Sequence, residues 1–225
     1  MSSVYILNLE TATTNCSVSL SKDGETLVLK EDNSKSYSHA ERLHVFIDDV
    51  LTEAQIKKEE LSAIAVSKGP GSYTGLRIGV SAAKGLCYAL GIPLIAIPTL
   101  ESLAHQLRIE KGSIVSMLDA RRLEVYSSVY NEKFEMIRET LAEVIDANSF
   151  EEFLVDGPVY FIGNGVPKTK EILTHENAHF SEDKMPSAKE MSELSYVKYK
   201  KNDIEDVAYF EPYYLKDFIA IKSKS

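Results

Sequence analysis

The fold is decided by the stretch Lys68-Gly69-Pro70-Gly71-Ser72-Tyr73-Thr74-Gly75-Leu76-Arg77. Residues 63–66 before it form a short apolar run between turn residues, which predicts a buried strand. Residues 78–90 after it predict a helix, because Gly91 and Pro93 follow and such residues end helices. A strand, a glycine-rich turn and a helix in this order are typical of an α/β protein.

Small residues recur along one side of this helix, where Gly75, Gly79 and Ala83 are spaced four apart. Glycine weakens a helix interior by about 1 kcal/mol relative to alanine. Such a stripe therefore indicates that another backbone approaches the helix closely. Two interpretations are open: the stripe packs on the chain's own sheet, or a helix of a partner protein crosses it.

The rest of the N-terminal half alternates between strand and helix patterns. Strands are predicted at residues 4–9, 16–20, 26–29 and 94–97. The sequence Lys22-Asp23-Gly24-Glu25 predicts a hairpin turn. Apolar residues at helical spacing predict a helix that contains Leu43, Phe46, Ile47, Val50 and Leu51. Ser38 and Glu41 form its predicted capping box, and a further helix is expected at 100–107.

The C-terminal half repeats this organisation. Strands are expected at 114–118, 124–130, 134–138 and 159–162, and helices at 149–154, 167–173 and 188–199. The repetition predicts two related lobes, which we place at residues 1–107 and 108–225.

The composition is that of an ordinary soluble protein, with 44% hydrophobic and 26% charged residues among 225. The net charge of −9 disfavours binding of nucleic acid by this chain alone, because phosphates are repelled. Cys16 and Cys87 make no disulfide framework and are expected to be buried free thiols. No signal-peptide pattern follows Met1, and glycine and prolines interrupt the apolar stretch 90–100, so we expect a cytoplasmic protein without a membrane span.

No catalytic constellation emerges from the residues. The glycine-rich stretch is not a Walker A loop, because its sixth position is Thr74 and no lysine follows Gly75. A tight turn with close helix packing explains it better than phosphate binding. His39 and His44 are five apart and should lie on different faces of a helix, which argues against a metal site.

Residues 69–90, continued by Gly91-Ile92-Pro93-Leu94-Ile95 and Thr99-Leu100-Glu101, closely resemble the TsaB (YeaZ) family. These proteins are the non-catalytic partners in bacterial synthesis of threonylcarbamoyladenosine on tRNA. The resemblance includes residues 5–13 and 38–43, and it continues in the short motifs 119–122, 163–165 and 211–215. It implies an α/β fold with two ribonuclease-H-like lobes of the actin/Hsc70/sugar-kinase superfamily.

Enzymes of that superfamily bind nucleotide through an acidic residue after the first strand, a glycine-rich loop in the second lobe and a glycine pair near the adenosine. Here the loop has Arg121 and Arg122 in place of glycines, so the resemblance implies weak or absent nucleotide binding. The candidate contacts are Glu10, Thr11, Asp119, Arg121, Gly163 and Gly165. Thr99 and Leu103 stand where the paralogue TsaD has metal-ligating histidines, so neither a metal nor a cofactor is expected.

The resemblance further implies pairing with TsaD through two helices of the first lobe. The predicted interface residues are His39, Leu43, Phe46, Val50, Gly75, Leu76, Gly79, Val80, Ala83 and Cys87. Without TsaD the same surface would allow a homodimer. The ATPase TsaE and tRNA are expected to join only in a larger complex. The alternative function is that of an ATP-dependent small-molecule kinase, which the lobed fold and Glu10 suggest.

Overall fold

The first lobe is a five-stranded sheet with two helices on one face. The computed structural model describes residues 3–34 and 39–216. The strands of this sheet are β1 (Tyr5–Glu10), β2 (Cys16–Lys22), β3 (Glu25–Asp32), β4 (Ala63–Gly69) and β5 (Leu94–Pro98), in the order β3-β2-β1-β4-β5. Strand β2 is antiparallel to β1 and β3, whereas β4 and β5 run parallel to β1. Helices α1 (His39–Ala54) and α2 (Tyr73–Leu90) share one apolar core with this sheet.

The second lobe repeats the topology of the first. Its strands are β6 (Ser113–Asp119), β7 (Glu124–Asn131), β8 (Met136–Val144), β9 (Val159–Ile162) and β10 (Ala178–Ser181). Their order, read as β8-β7-β6-β9-β10, matches that of the first sheet strand for strand. The remaining helices are α3 (Thr99–Ala104), α4 (Glu151–Asp156), α5 (Val166–Ile172) and α6 (Ala188–Lys200). The predicted fold class, two ribonuclease-H-like α/β lobes, is confirmed.

Most predicted elements are present, and the shifted boundaries have local causes. Helix α2 begins at Tyr73 rather than residue 78, because the Ser72 hydroxyl accepts the Gly75 N–H at 3.3 Å and caps the helix. Its end is as predicted, since Gly91 adopts a left-handed conformation with φ of 67°. Strand β8 begins at Met136 because Phe134, with φ of 61°, lies in the preceding turn. The predicted cap residue Ser38 lies outside the described residues.

Two helices cover the sheet of the opposite lobe. Helix α6 packs on the face of the first sheet that α1 and α2 leave open, where Met191 meets Ile6 and Ile95. Helix α3 packs on the second sheet through Leu100 and Leu103. A boundary at residue 107 therefore separates the two sheets in sequence, but each of these helices lies on the other side of that boundary from the sheet it covers.

Cys16 and Cys87 are buried free thiols, as expected, and burial raises their pKa to about 11 and about 12. In residues 3–34 and 39–216, no helix is at once long enough and apolar enough to cross a bilayer.

Candidate functional site

The glycine-rich turn packs against the turn that follows β1. A Cβ atom at Gly71 would lie 2.4 Å from the Ala12 carbonyl oxygen. At Gly75 and Gly79 it would lie 2.1 Å from the Thr11 carbonyl oxygen and 2.3 Å from its Oγ1. Any side chain would clash at such distances, so these glycines are needed for the close approach of the chain's own backbone. The Thr11 hydroxyl also donates to the Gly75 carbonyl oxygen at 2.8 Å.

The residues predicted for the partner interface also have packing roles within the chain. All ten predicted positions are buried within the chain: His39, Leu43, Phe46, Val50, Gly75, Leu76, Gly79, Val80, Ala83 and Cys87. Phe46, the most exposed of the apolar ones, is only 9% exposed. Of the two interpretations of the stripe, packing within the chain agrees with the structure, because Gly75 and Gly79 face the turn after β1 and Ala83 belongs to the core of the first lobe. His39 lies 2.7 Å from the Thr13 carbonyl oxygen through Nε2, and burial lowers its pKa.

A second row of small residues lies on the outer face of α2. Ser81, Gly85 and Ala89 are also spaced four apart, and all three are exposed. A Cβ atom at Gly85 would have no neighbour within 4 Å. Tyr88 next to this row is 87% exposed, and Val45 on the adjacent helix α1 is 50% exposed. The sequence analysis did not predict this row, although the spacing of four residues is a signal that the sequence contains.

Glu10, at the end of β1, is enclosed by its own lobe. Its Oε1 accepts the Ala12 N–H at 2.6 Å and the Ser67 hydroxyl at 2.9 Å. Its Oε2 is buried and makes no hydrogen bond with the described residues. Burial raises the pKa of this carboxyl to about 7. Glu10 is therefore closed off from a ligand in solvent.

Asp119 is held by side chains and backbone of its own lobe. Its Oδ1 forms an ion pair with Lys168 at 2.5 Å and accepts the Arg121 N–H at 3.0 Å. Arg121 and Arg122 have φ angles of 73° and 51°, in the left-handed region that favours glycine. The hairpin thus has a glycine-like backbone but carries two long, exposed side chains.

The glycine pair Gly163 and Gly165 fixes α5 against β6. A Cβ atom at Gly163 would lie 2.1 Å from the Met117 carbonyl oxygen, and one at Gly165 would lie 3.2 Å from Met117 Cγ. Between them, the Asn164 side chain accepts the Asp119 N–H at 2.8 Å. The pair thus has a structural role here that requires no adenosine.

The positions considered for a metal have other roles as well. Thr99 Oγ1 accepts the Gly69 N–H at 3.1 Å, and Leu103 is buried against the second sheet. His39 is buried and His44 is exposed, so they face different directions as predicted. In the part of the chain that the structure describes, no three His, Cys, Asp or Glu side chains are grouped to hold a metal ion.

The duplicated topology, with α3 and α6 each covering the sheet of the opposite lobe, defines a two-lobed α/β protein built from two ribonuclease-H-like sheets. Residues 33–223 match the family model described as TsaD: tRNA N6-adenosine threonylcarbamoyltransferase. Relatives named tRNA threonylcarbamoyladenosine biosynthesis protein TsaB include one from Haemophilus influenzae, 30% identical over 99% of this chain and 98% of the relative. Another, from Bacillus subtilis, is 32% identical over 75% of this chain and 74% of its own length.

A solved structure points to the same family. YeaZ from Pseudomonas aeruginosa superposes with a TM-score of 0.81 at 26% identity, over 94% of this chain and all of that one. This chain belongs to the TsaB (YeaZ) family.

Proposed function

We propose that this chain is a non-catalytic subunit that pairs with TsaD for threonylcarbamoyl transfer to the adenosine next to the anticodon of tRNA. TsaD would perform the chemistry, and this chain would hold it in an active arrangement in the cytoplasm. Recruitment of TsaE and tRNA would then be a property of the complex, since a net charge of −9 disfavours RNA binding by this chain alone.

The outer face of α2 is the observation that supports this proposal. The exposed row Ser81, Gly85 and Ala89 leaves room for the backbone of another helix, and Tyr88 offers a large aromatic anchor beside it. Aromatic side chains are enriched in protein interfaces, where they often supply much of the binding energy. The interface is thus assigned to the outer faces of α1 and α2 rather than to their buried faces.

The choice of TsaD as partner follows from the shared fold. This chain matches the TsaD family model over residues 33–223, so the two proteins are expected to share this two-lobed architecture. A protein of the same fold presents an equivalent helix pair, and two such pairs can meet around a pseudo-twofold axis. The same geometry would allow a homodimer in the absence of TsaD.

Size-exclusion chromatography with light scattering, on this chain alone and mixed with TsaD from the same organism, tests the proposal. We expect a stable heteromer that forms at the expense of any homodimer. Gly85→Phe should abolish it, because the bulky side chain fills the space that the partner helix needs. Val197→Phe is the matched control, since this half-exposed residue lies on α6 at the opposite face of the sheet.

Two outcomes would count against the proposal. Normal pairing of the Gly85→Phe variant would remove the outer face of α2 from the interface. No association with TsaD, with or without nucleotide, would reopen the kinase alternative. In that case, tight binding of magnesium-ATP and phosphoryl transfer by the isolated chain would support the kinase, and the failure of both would exclude it.

A further inference from the structure

After α6 the chain returns along the first lobe as an irregular segment, residues 205–216, which we call the strap. It begins beside β5, where the Glu205 N–H donates to the Leu94 carbonyl oxygen at 2.8 Å. It then passes α2, whose Lys84 donates to the carbonyl oxygens of Ala208 at 3.2 Å and Phe210 at 2.9 Å. The Phe210 side chain packs against the core of the first lobe. The strap is therefore anchored by backbone and side chain alike.

The strap next covers the carboxyl end of β4. The Tyr213 N–H donates to the Lys68 carbonyl oxygen at 2.7 Å, and a Cβ atom at Gly69 would lie 2.7 Å from the Tyr213 carbonyl oxygen. The ring of Tyr214 lies 4.9 Å from that of Tyr73, the first residue of α2. In open α/β sheets, ligands bind outside the carboxyl ends of the strands. Here the chain's own backbone lies at that edge.

The strap finally reaches the second lobe. Lys216 forms an ion pair with Glu124, the first residue of β7, and its Nζ lies 6.0 Å from the centroid of the Tyr126 ring. Val125, the residue after Glu124, pairs with Asp119 at the last position of β6. The chain enters this sheet at the other end of β6, at Ser113. A seven-residue strand is about 20 Å long. The contact with Lys216 therefore holds the second lobe at a point far from the chain connection between the lobes.

The two covalent connections between the lobes lie side by side elsewhere. One follows α3 and the other precedes α6, and the Gln106 side chain of the first donates to the Met185 carbonyl oxygen of the second at 2.6 Å. Hinges are formed by a few loop residues that absorb changes in φ and ψ, and both connections are loops. A non-covalent contact at the far end of β6 would then restrict rotation about it.

We propose that the strap is a latch, which holds the two lobes closed over the carboxyl edge of the first sheet and opens when Lys216 separates from Glu124. Backbone hydrogen bonds and the Phe210 side chain tie the strap to the first lobe, whereas Lys216 ties it to the second lobe through this ion pair and the neighbouring tyrosine ring. Release should thus occur at Lys216 and not along α2. This device is independent of the pairing proposed above, because it does not use the outer row of α2.

Distances between spin labels in the two lobes test the latch. Cysteines introduced at Glu59 and Glu176, both exposed, accept the labels, while Cys16 and Cys87 are buried and should not react. Glu124→Gln should raise the open-to-closed ratio up to about fivefold, the effect of losing one partly exposed ion pair. Glu124→Lys should raise it further through repulsion, and the swapped pair Glu124→Lys with Lys216→Glu should restore the wild-type distribution.

A matched control and a backbone variant complete the test. Glu132→Lys makes the same charge change on the exposed turn at the other end of β7 and should leave the distances unchanged. Tyr213→Pro removes the N–H that bonds to Lys68 and should open the lobes, whereas a variant that keeps this N–H, Tyr213→Ala, should open them less. Wild-type distances in the Glu124→Lys variant, or failure of the swapped pair to restore them, would overturn the latch.

Discussion

Two glycines on the same helix have opposite roles. Gly79 faces the Thr11 hydroxyl and has no space for a methyl group, whereas Gly85 faces solvent. We expect Gly79→Ala to lower the free energy of unfolding by about 1–3 kcal/mol through overpacking. Gly85→Ala should raise it by about 1 kcal/mol, because alanine is the better helix former and nothing obstructs its side chain. Urea unfolding of both variants measures these changes, and a loss of stability in Gly85→Ala would contradict the exposed position of this residue.

Glu10 should make stability depend on pH. Its pKa is raised from 4.5 to about 7 in the folded state, so between these values the folded protein binds a proton that the unfolded chain does not. The contribution of Glu10 to the free energy of unfolding should therefore be largest below about pH 4.5, fall as the pH rises to about 7, and change no further above it. The full loss corresponds to about 3 kcal/mol.

The variant Glu10→Gln removes this titration. It keeps an oxygen that can accept the Ala12 N–H and the Ser67 hydroxyl, and it is neutral at every pH. In unfolding experiments from pH 5 to pH 8, the free energy of unfolding of the variant should rise relative to that of the wild type as the pH rises. Parallel pH profiles for the two proteins would show that the carboxyl is not protonated in the folded state.

The sequence predicts that a backbone approaches α2 closely, but it does not predict which backbone this is. The periodicity of Gly75, Gly79 and Ala83 indicates the close approach of a backbone, and both a partner helix and the chain's own turn provide one. Only the tertiary position of Thr11 distinguishes the two, and this depends on contacts 64 residues apart in sequence. The burial of Glu10 is likewise a consequence of Ser67 and the turn after β1.

At the level of elements, α6 belongs to the cooperative unit of the first sheet. Met191 is buried against Ile6 and Ile95 on that sheet, whereas Val197 on the same helix is 41% exposed. We expect Met191→Ala to reduce the free energy of unfolding by about 2–5 kcal/mol. Val197→Ala is the control and should lower the free energy of unfolding by less than about 0.5 kcal/mol.

Hydrogen exchange locates the effect of that substitution. Amides of β1, β4 and β5 should exchange faster in the Met191→Ala variant, because their sheet loses a packing partner. Faster exchange confined to the second lobe would mean that α6 stabilises a different sheet from the one it covers.

Element types were largely predictable, and element partners were not. Residues 188–199 read as a helix because of their local pattern, but nothing local says that this helix returns to the first sheet. Strand β10 was not predicted because its alternating sequence Ala-His-Phe-Ser has only four residues, the shortest run in which such a pattern indicates a strand. Its position is fixed by parallel pairing with β9.

For the whole molecule, the exchange of α3 and α6 couples the two lobes. Each sheet is covered on one face by a helix that adjoins the other lobe in sequence, so neither lobe can lose its fold without exposing apolar surface of the other. We therefore expect a single unfolding transition for the two lobes, as in small one-domain proteins.

The absence of tryptophan from the sequence makes this coupling measurable. Tyr5→Trp places a unique fluorophore in the first lobe, and Phe153→Trp places one in the second, each at a partly buried position. Urea curves from the two reporters should coincide. Met191→Ala removes packing on the first sheet alone. When it is added to each reporter variant, coupled lobes should show the same fall in both urea midpoints, whereas two lobes of equal but independent stability should not. A fall in the Tyr5→Trp midpoint alone would mean that the lobes unfold independently, and the exchanged helices would then be no more than a packing arrangement.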